Sequence, residues 1–255
     1  MRNAFALLSM AMILFIASIS GAAELHDGFS SKGGGPNMTT KNEGNNGSSN
    51  RIVVYGNLAE IVNPAHSCLV VWDVQNGLVD RIFDQEKFIS NLKALIHALR
   101  GKMPVVYTRI TPPPKGFQSS WALYSMMRRF NVTDVDKIPS FMAPGSRDRE
   151  IREELKPEDG DVVLDKPTAS IFTGTNFENM MRSRGITTLI FTGIATEIGI
   201  ESSARDASNR GFYPVVVSDC VSSSDKEAHE RSLKNLEKLV IVKQAGDILK
   251  AIGTK

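Results

Sequence analysis

The sequence predicts an α/β fold of three layers, in which a six-stranded parallel sheet lies between two layers of helices. Two observations lead to this prediction. Short runs that are apolar at every position suit strands buried on both faces, and they alternate along the chain with stretches of helical period. Polar residues follow several of these runs, and the carboxyl ends of parallel strands are where such sheets bind ligands.

Each element is predicted from its own pattern. The strands are expected at residues 68–72, 104–108, 161–164, 188–191, 213–218 and 240–242. The helices are expected at residues 86–100, 119–130, 176–184, 200–210, 226–236 and 245–252. The first helix shows the period most clearly, because its apolar residues recur three or four positions apart at Phe88, Leu92, Leu95, Ile96 and Leu99.

The chain divides into three segments. Residues 1–23 carry a basic residue, an apolar stretch and then small residues, a pattern typical of a secretory signal peptide. A membrane anchor and a mis-assigned start, with Met38 as the true first residue of a cytoplasmic protein, are the other two interpretations. Residues 24–50 are rich in Gly, Ser and Asn and predict a flexible linker, and residues 51–255 form the predicted folded domain.

Composition excludes several classes of function. The chain has 255 residues and a formal net charge of +2, without a long basic run, so we expect no nucleic-acid partner. Its two cysteines, Cys68 and Cys220, form no pair with metal-ligand spacing, and the four histidines are scattered. We therefore expect no metal and no cofactor, a small-molecule substrate, and membrane contact only through an N-terminal anchor.

Four predicted strand ends carry groups suited to catalysis. Asp73 ends the first strand, Arg109 the second, and Lys166 follows the third. The turn at residues 193–199 follows the fourth strand and opens a helix, so its backbone N–H groups suit an anion or a developing negative charge. We expect these groups to converge, with Asp73 as a general acid or base beside Lys166 and Arg109 binding a substrate carboxylate.

Three motifs in this order resemble the isochorismatase-like hydrolase superfamily. They are DVQNG at residues 73–77, LDKPTASIF at residues 164–172 and TGIATEIGIESSARDA at residues 192–207. The resemblance covers about residues 60–250. It implies a Rossmann-like sheet, a non-proline cis peptide at Ile194–Ala195 and self-association into a homo-oligomer.

The resemblance also implies a catalytic set with one departure. Amidohydrolases of the superfamily use an Asp–Lys–Cys triad, and Asp73 and Lys166 match its first two members. The cysteine position falls at Gly199, which has no side chain. Ser202, three residues further along the predicted helix, is a poor candidate to replace the cysteine as nucleophile. The metal-binding Asp-x-His of nicotinamidases is also missing, so the sequence disfavours a nicotinamidase on two counts.

Isochorismatases of the superfamily hydrolyse a vinyl ether and tend to have glycine at that position. Their reaction needs a proton donor and water but no covalent nucleophile, and Asp73 suits the donor's role. We therefore expect acid-catalysed attack by water on a small carboxylate-bearing metabolite. A catalytically silent metabolite-binding protein and a cysteine-independent amidohydrolase are the alternatives. The further residues expected to bind substrate are Gln75, Phe172, Ile194, Ala195 and Thr196.

Overall fold

A parallel sheet of six strands forms the centre of the domain in the computed structural model, which describes residues 52–253. The strand order is β3-β2-β1-β4-β5-β6, and every neighbouring pair is parallel. The strands are β1 (Ser67–Trp72), β2 (Val105–Ile110), β3 (Val162–Lys166), β4 (Thr188–Ile194), β5 (Tyr213–Ser222) and β6 (Ile241–Lys243). The predicted fold class is confirmed, and the order reverses at β1, where such sheets place their binding sites.

The strands β2 to β5 each extend further than the apolar pattern predicted, and two of them, β2 and β3, carry candidate site residues. The β2–β3 ladder continues through the pairs Arg109–Asp165 and Ile110–Lys166. Arg109 and Lys166 therefore lie within strands, although the sequence placed them at or after strand ends. The apolar run ends where polar side chains begin at the rim of the sheet, whereas the backbone pairing continues past them.

Helices cover both faces of the sheet. They are α1 (Leu58–Ile61), α2 (Asn76–Val79), α3 (Gln85–Leu99), α4 (Ser120–Phe130), α5 (Phe177–Ser183), α6 (Glu201–Asn209), α7 (Lys226–Leu236) and α8 (Ala245–Ile252). All five apolar residues that predicted α3 are buried, as the helical period requires. A π-helical turn, Thr196–Ile200, precedes α6 where the sequence predicted an ordinary helix start.

The two faces of the sheet bury two separate apolar cores. Successive residues of a strand point to opposite faces, so Leu69 and Val71 of β1 enter one core, while Cys68, Val70 and Trp72 enter the other. Every residue of β1 is buried. This alternation decides which rim residues reach the functional site described below.

The predictions for the N-terminal part of the chain concern residues outside the described range. The signal peptide or anchor of residues 1–23 and the linker of residues 24–50 therefore stay predictions. Within residues 52–253, no helix is long and apolar enough to cross a membrane.

Candidate active site

A buried ion pair joins the ends of β1 and β3. The Lys166 Nζ donates to the Asp73 Oδ2 at 2.7 Å, and the two side chains are 1% and 6% exposed. Asp73 lies directly after β1 with a φ of 45°, a left-handed backbone conformation that few residues other than glycine adopt. The two residues predicted as the catalytic acid–base pair are thus brought together, as the parallel-sheet topology led us to expect.

Thr108 of β2 completes this pair, and the sequence reasoning missed it. Its hydroxyl donates to the Asp73 Oδ1 at 2.6 Å and accepts the backbone N–H of Asp73 at 3.1 Å. Thr108 is fully buried. The period of two along β2 could have found it, because Thr108 shares its face of the strand with Val106, which lies in the same core as Trp72.

Burial shifts the titration of both partners toward their neutral forms. Desolvation raises the pKa of Asp73 above its ordinary value, although Lys166 and the Thr108 hydroxyl pull it down. Desolvation likewise lowers the pKa of Lys166, against the opposing effect of Asp73. Burial prevails in each case, so Asp73 holds a proton more readily than an exposed carboxyl does.

The indole of Trp72 lies against the Lys166 ammonium. The Nζ stands 3.9 Å from the ring centroid, and it also donates to the Thr168 carbonyl oxygen at 3.1 Å. Trp72 is 1% exposed. The ammonium is therefore enclosed by a carboxylate, a carbonyl and an aromatic face.

Gly199 faces the same indole at very close range. A Cβ at Gly199 would lie 2.0 Å from the Trp72 Nε1 and 2.4 Å from the Trp72 Cε2. Such distances are far inside van der Waals contact, so a side chain at this position requires the indole to move. The volume that a side chain at residue 199 would occupy is filled by the Trp72 indole.

The turn after β4 has the expected cis peptide but fewer free N–H groups than expected. The Ile194–Ala195 bond is cis. The N–H groups of Ile198, Gly199 and Ile200 all approach the Ala195 carbonyl oxygen, at 3.3, 3.0 and 3.2 Å. They are committed within the π-helical turn, so these three do not form the anion cradle that the sequence suggested.

The Asp73–Lys166 pair is enclosed. Two cavities of about 250 and 220 Å³ lie elsewhere on the described part of the domain, one beside Arg100 and one beside His229. Neither is lined by Asp73, Lys166 or Gly199. Because Asp73 is 5% and Lys166 1% exposed, a substrate can reach them only if neighbouring groups move.

Comparison with known proteins identifies the family. The sequence model of the Isochorismatase domain matches residues 67–246, which include Asp73, Lys166 and Gly199. The chain belongs to the isochorismatase family. The parallel sheet and the buried Asp–Lys pair described above thus lie within the matched domain.

Two curated relatives of this isochorismatase-family chain are ureidoacrylate amidohydrolases. The chain is 32% identical over 198 residues to that of Methylobacterium radiotolerans, across 69% of this chain and 75% of the relative. It is 34% identical over 196 residues to that of an Enterobacter species, across 68% of this chain and 83% of the relative. These names describe the relatives.

Solved structures agree on the fold. An isochorismatase family protein from Burkholderia thailandensis is 30% identical, with a TM-score of 0.60 over 74% of this chain and 97% of its own. A cysteine hydrolase from Pseudomonas syringae has a TM-score of 0.66 over 80% of this chain and 99% of its own. At 21% identity, the latter shows the fold alone.

Two of the residues expected to bind substrate hold the sheet rim together. Arg109 lies on the opposite face of β2 from Thr108 and forms a two-point ion pair with Asp165, at 2.8 and 3.0 Å. The expectation that its guanidinium converges with Lys166 is corrected by this alternation. Gln75 is fully buried, and its amide joins the backbone of Ile110 and of Arg149. A role in substrate binding stays a prediction for both.

The remaining residues that were expected to bind substrate are buried or half-buried, and this role stays a prediction for each of them. Phe172 lies in the same core as Trp72 and contacts the rings of Phe177 and Phe212. The Thr196 hydroxyl lies 2.8 Å from the Nδ1 of His229. Ile194 is buried and Ala195 is half-buried.

The absence of a metal and self-association stay predictions as well. In residues 52–253, no group of three or more His, Cys, Asp or Glu side chains is placed to hold a metal ion. The expectation of a metal-free site rests on the sequence. The expectation of a homo-oligomer rests on the family resemblance.

Proposed function

We propose that the protein is a hydrolase that acts on a small carboxylate-bearing metabolite by acid-catalysed attack of water, without a covalent intermediate. One observation carries the proposal. A buried Asp73–Lys166 pair, with Thr108 on the carboxyl, lies against the Trp72 indole, and residue 199, which faces the same indole, has no nucleophilic side chain. Such a site has a proton donor, Asp73, and a cation beside it, Lys166, but no nucleophilic side chain that could form a covalent acyl intermediate.

Vinyl-ether hydrolysis suits these groups. Asp73 gives its proton to the terminal carbon of the enol ether, and the carbon bearing the ether oxygen becomes an oxocarbenium ion. Water adds to that carbon, and the lost proton returns to the Asp73 carboxylate. The hemiketal then collapses to an alcohol and a ketone. Burial raises the pKa of Asp73 above its ordinary value, which helps the carboxyl to take up the proton that it donates, and Lys166 stabilises the carboxylate left after the donation.

We further propose that Gly199 stands at the position where the amidohydrolases of the superfamily have their cysteine. Neither cysteine of this chain can replace that thiol. Cys68 and Cys220 are both buried, and burial raises the pKa of the Cys68 thiol to about 12. Burial raises the pKa of Cys220 as well. Thiols of this kind are not thiolates near pH 7 and are poor nucleophiles.

Amide hydrolysis is the second candidate, because two curated relatives are named ureidoacrylate amidohydrolases. With no thiol beside Asp73, such a reaction requires Asp73 to activate water as a general base. The raised pKa of Asp73 is compatible with a base that works near neutral pH. Ureidoacrylate is thus the amide with which to test the protein.

Metabolite binding without turnover is the third candidate. The observation in its favour is the burial of Asp73 and Lys166, which are 5% and 1% exposed. A protein that only binds would hold a ligand at another surface or after the indole moves.

A turnover assay separates these three functions. The native chain is incubated with isochorismate and with ureidoacrylate, and pyruvate and ammonia are measured. Asp73→Asn and iodoacetamide-treated native protein run in parallel. We expect pyruvate from isochorismate, unaffected by iodoacetamide and at least about a hundredfold slower with Asp73→Asn. Ammonia from ureidoacrylate would favour the amidohydrolase, and no product from either compound at stoichiometric enzyme would favour the binding protein.

A further inference from the structure

We propose that Trp72 is a positioning residue that occupies the volume of a side chain at residue 199 and holds the Lys166 ammonium against Asp73. The inference rests on the proposed function, since it explains how the pair is kept in place without a thiol. It goes further by coupling two positions: the indole of Trp72 requires glycine at residue 199, because any side chain there would overlap the ring.

The need for glycine at residue 199 comes from the indole and not from the backbone. Gly199 is not among the glycines with a left-handed φ, so its backbone conformation is open to any residue. Its Cβ would nevertheless lie 2.0, 2.4 and 2.8 Å from three atoms of the Trp72 ring. Alanine is therefore already too large while the indole stays where it is.

The backbone of Trp72 is closely packed as well. Trp72 pairs with Gly193 of β4, and a Cβ at Gly193 would lie 2.0 Å from the Trp72 carbonyl oxygen. Gly193 has a φ of 114°, which side-chain-bearing residues rarely adopt. The absence of a side chain at Gly193 thus leaves room for the backbone of Trp72, and its absence at Gly199 leaves room for the ring.

The ring also supplies the third neighbour of the ammonium. An ammonium has three N–H donors, and those of Lys166 have the Asp73 carboxylate, the Thr168 carbonyl and the face of Trp72 as partners. A cation over an indole face gains most where water is excluded, and Lys166 is 1% exposed. In this arrangement the indole stabilises the charged lysine that Asp73 needs as its partner.

The steric part of the proposal is tested by thermal unfolding of Gly199→Ala, Trp72→Leu and the double variant. Gly199→Ala should lower the Tm of the native chain by about 5–10 °C, because it overpacks the site. In the Trp72→Leu background the same substitution should lower Tm by less than about 2 °C. Equal decreases in both backgrounds would overturn the proposal. Gly246→Ala is the matched control, because a Cβ there meets nothing within 4 Å.

The electrostatic part is tested by comparing Trp72→Phe with Trp72→Leu from pH 7 to 10.5. Phe keeps an aromatic face for the ammonium and Leu does not, so Phe should have the higher Tm at pH 7. The difference should shrink by at least half toward pH 10.5, as Lys166, whose one charged neighbour described here is Asp73, loses its proton. A difference that stays constant with pH would show packing alone and would overturn the positioning role.

These outcomes are independent of turnover. Neither experiment uses a substrate, so a chain that hydrolyses nothing could still show both effects. Conversely, turnover of isochorismate together with equal Tm decreases in the two backgrounds would support the proposed function and refute the role of Trp72.

Discussion

Removing the charge of Asp73 should destabilise the fold far more than removing the charge of an exposed aspartate. Asp73→Asn keeps the size of the side chain but leaves the Lys166 ammonium, 1% exposed, without its carboxylate. Breaking a buried pair in this way costs about 3–5 kcal/mol. Lys166 can escape by losing its proton, which at pH 7 limits the cost to about 5 kcal/mol because an ordinary lysine titrates near 10.5.

In a domain of this size, that cost corresponds to a decrease in Tm of about 6–20 °C, measured by calorimetry at pH 7. Asp165→Asn is the matched control, since it removes a carboxylate, 40% exposed, that pairs with Arg109 and Arg149, which are 33% and 21% exposed. An exposed pair contributes about 0–1 kcal/mol. Asp73→Asn combined with Lys166→Met should recover most of the lost Tm. Equal decreases for the two single variants, or no recovery in the double variant, would refute the reasoning.

Three further predictions concern single side chains and are checked by urea unfolding. Thr108→Val should lower the free energy of unfolding by about 1.5–3 kcal/mol, because it removes the donor to Asp73, whereas Arg109→Met should change it by less than about 1 kcal/mol. Equal effects would contradict the assignment of faces. Burial raises the pKa of Cys68 from 9.0 to about 12, so the stabilisation from its neutral thiol is complete below pH 9.0 and is lost as the pH rises toward about 12. Cys68→Val should therefore make the free energy of unfolding fall less steeply over this range, by about 1.4 kcal/mol per pH unit. Burial lowers the pKa of His229, so its contribution is present above pH 6.5 and is lost as the pH falls through the lowered pKa, and His229→Asn should flatten the acid side of the profile. An unchanged profile in either variant would count against the corresponding shift.

The sheet and most helices could be predicted because burial leaves a clear mark on the sequence. The run from Cys68 to Trp72 is apolar at every position, which suits a central strand, and the five apolar residues of α3 recur at helical spacing. The proximity of Asp73 and Lys166 could be predicted from the same strand pattern, because the carboxyl ends of parallel strands lie at one edge of the sheet.

The expectation that Arg109 converges with Lys166 was wrong because it used the position of the residue along the strand without considering its face. Arg109 and Thr108 are adjacent at the rim of β2, and only one of them can point toward Lys166. The alternation was readable from the sequence and favoured Thr108. Thr108, the uncharged neighbour of Arg109, is the residue whose side chain contacts Asp73.

The contact between Trp72 and Gly199 could not be predicted in the same way. It depends on the rotamer of one indole and on the π-helical turn Thr196–Ile200, neither of which has a sequence pattern of its own. The sequence showed an absent side chain at residue 199. The structure shows that a neighbouring side chain fills the space.

The central claim, acid catalysis without a covalent nucleophile, is tested most directly by turnover of isochorismate in D₂O. If Asp73 delivers a solvent-exchanged proton to the terminal carbon, the pyruvate released by the native chain carries one deuterium in its methyl group, measured by mass spectrometry before exchange occurs. We predict this label with the native chain, and no pyruvate above background with Asp73→Asn. Unlabelled pyruvate, or labelled pyruvate released equally fast by Asp73→Asn, would contradict the account.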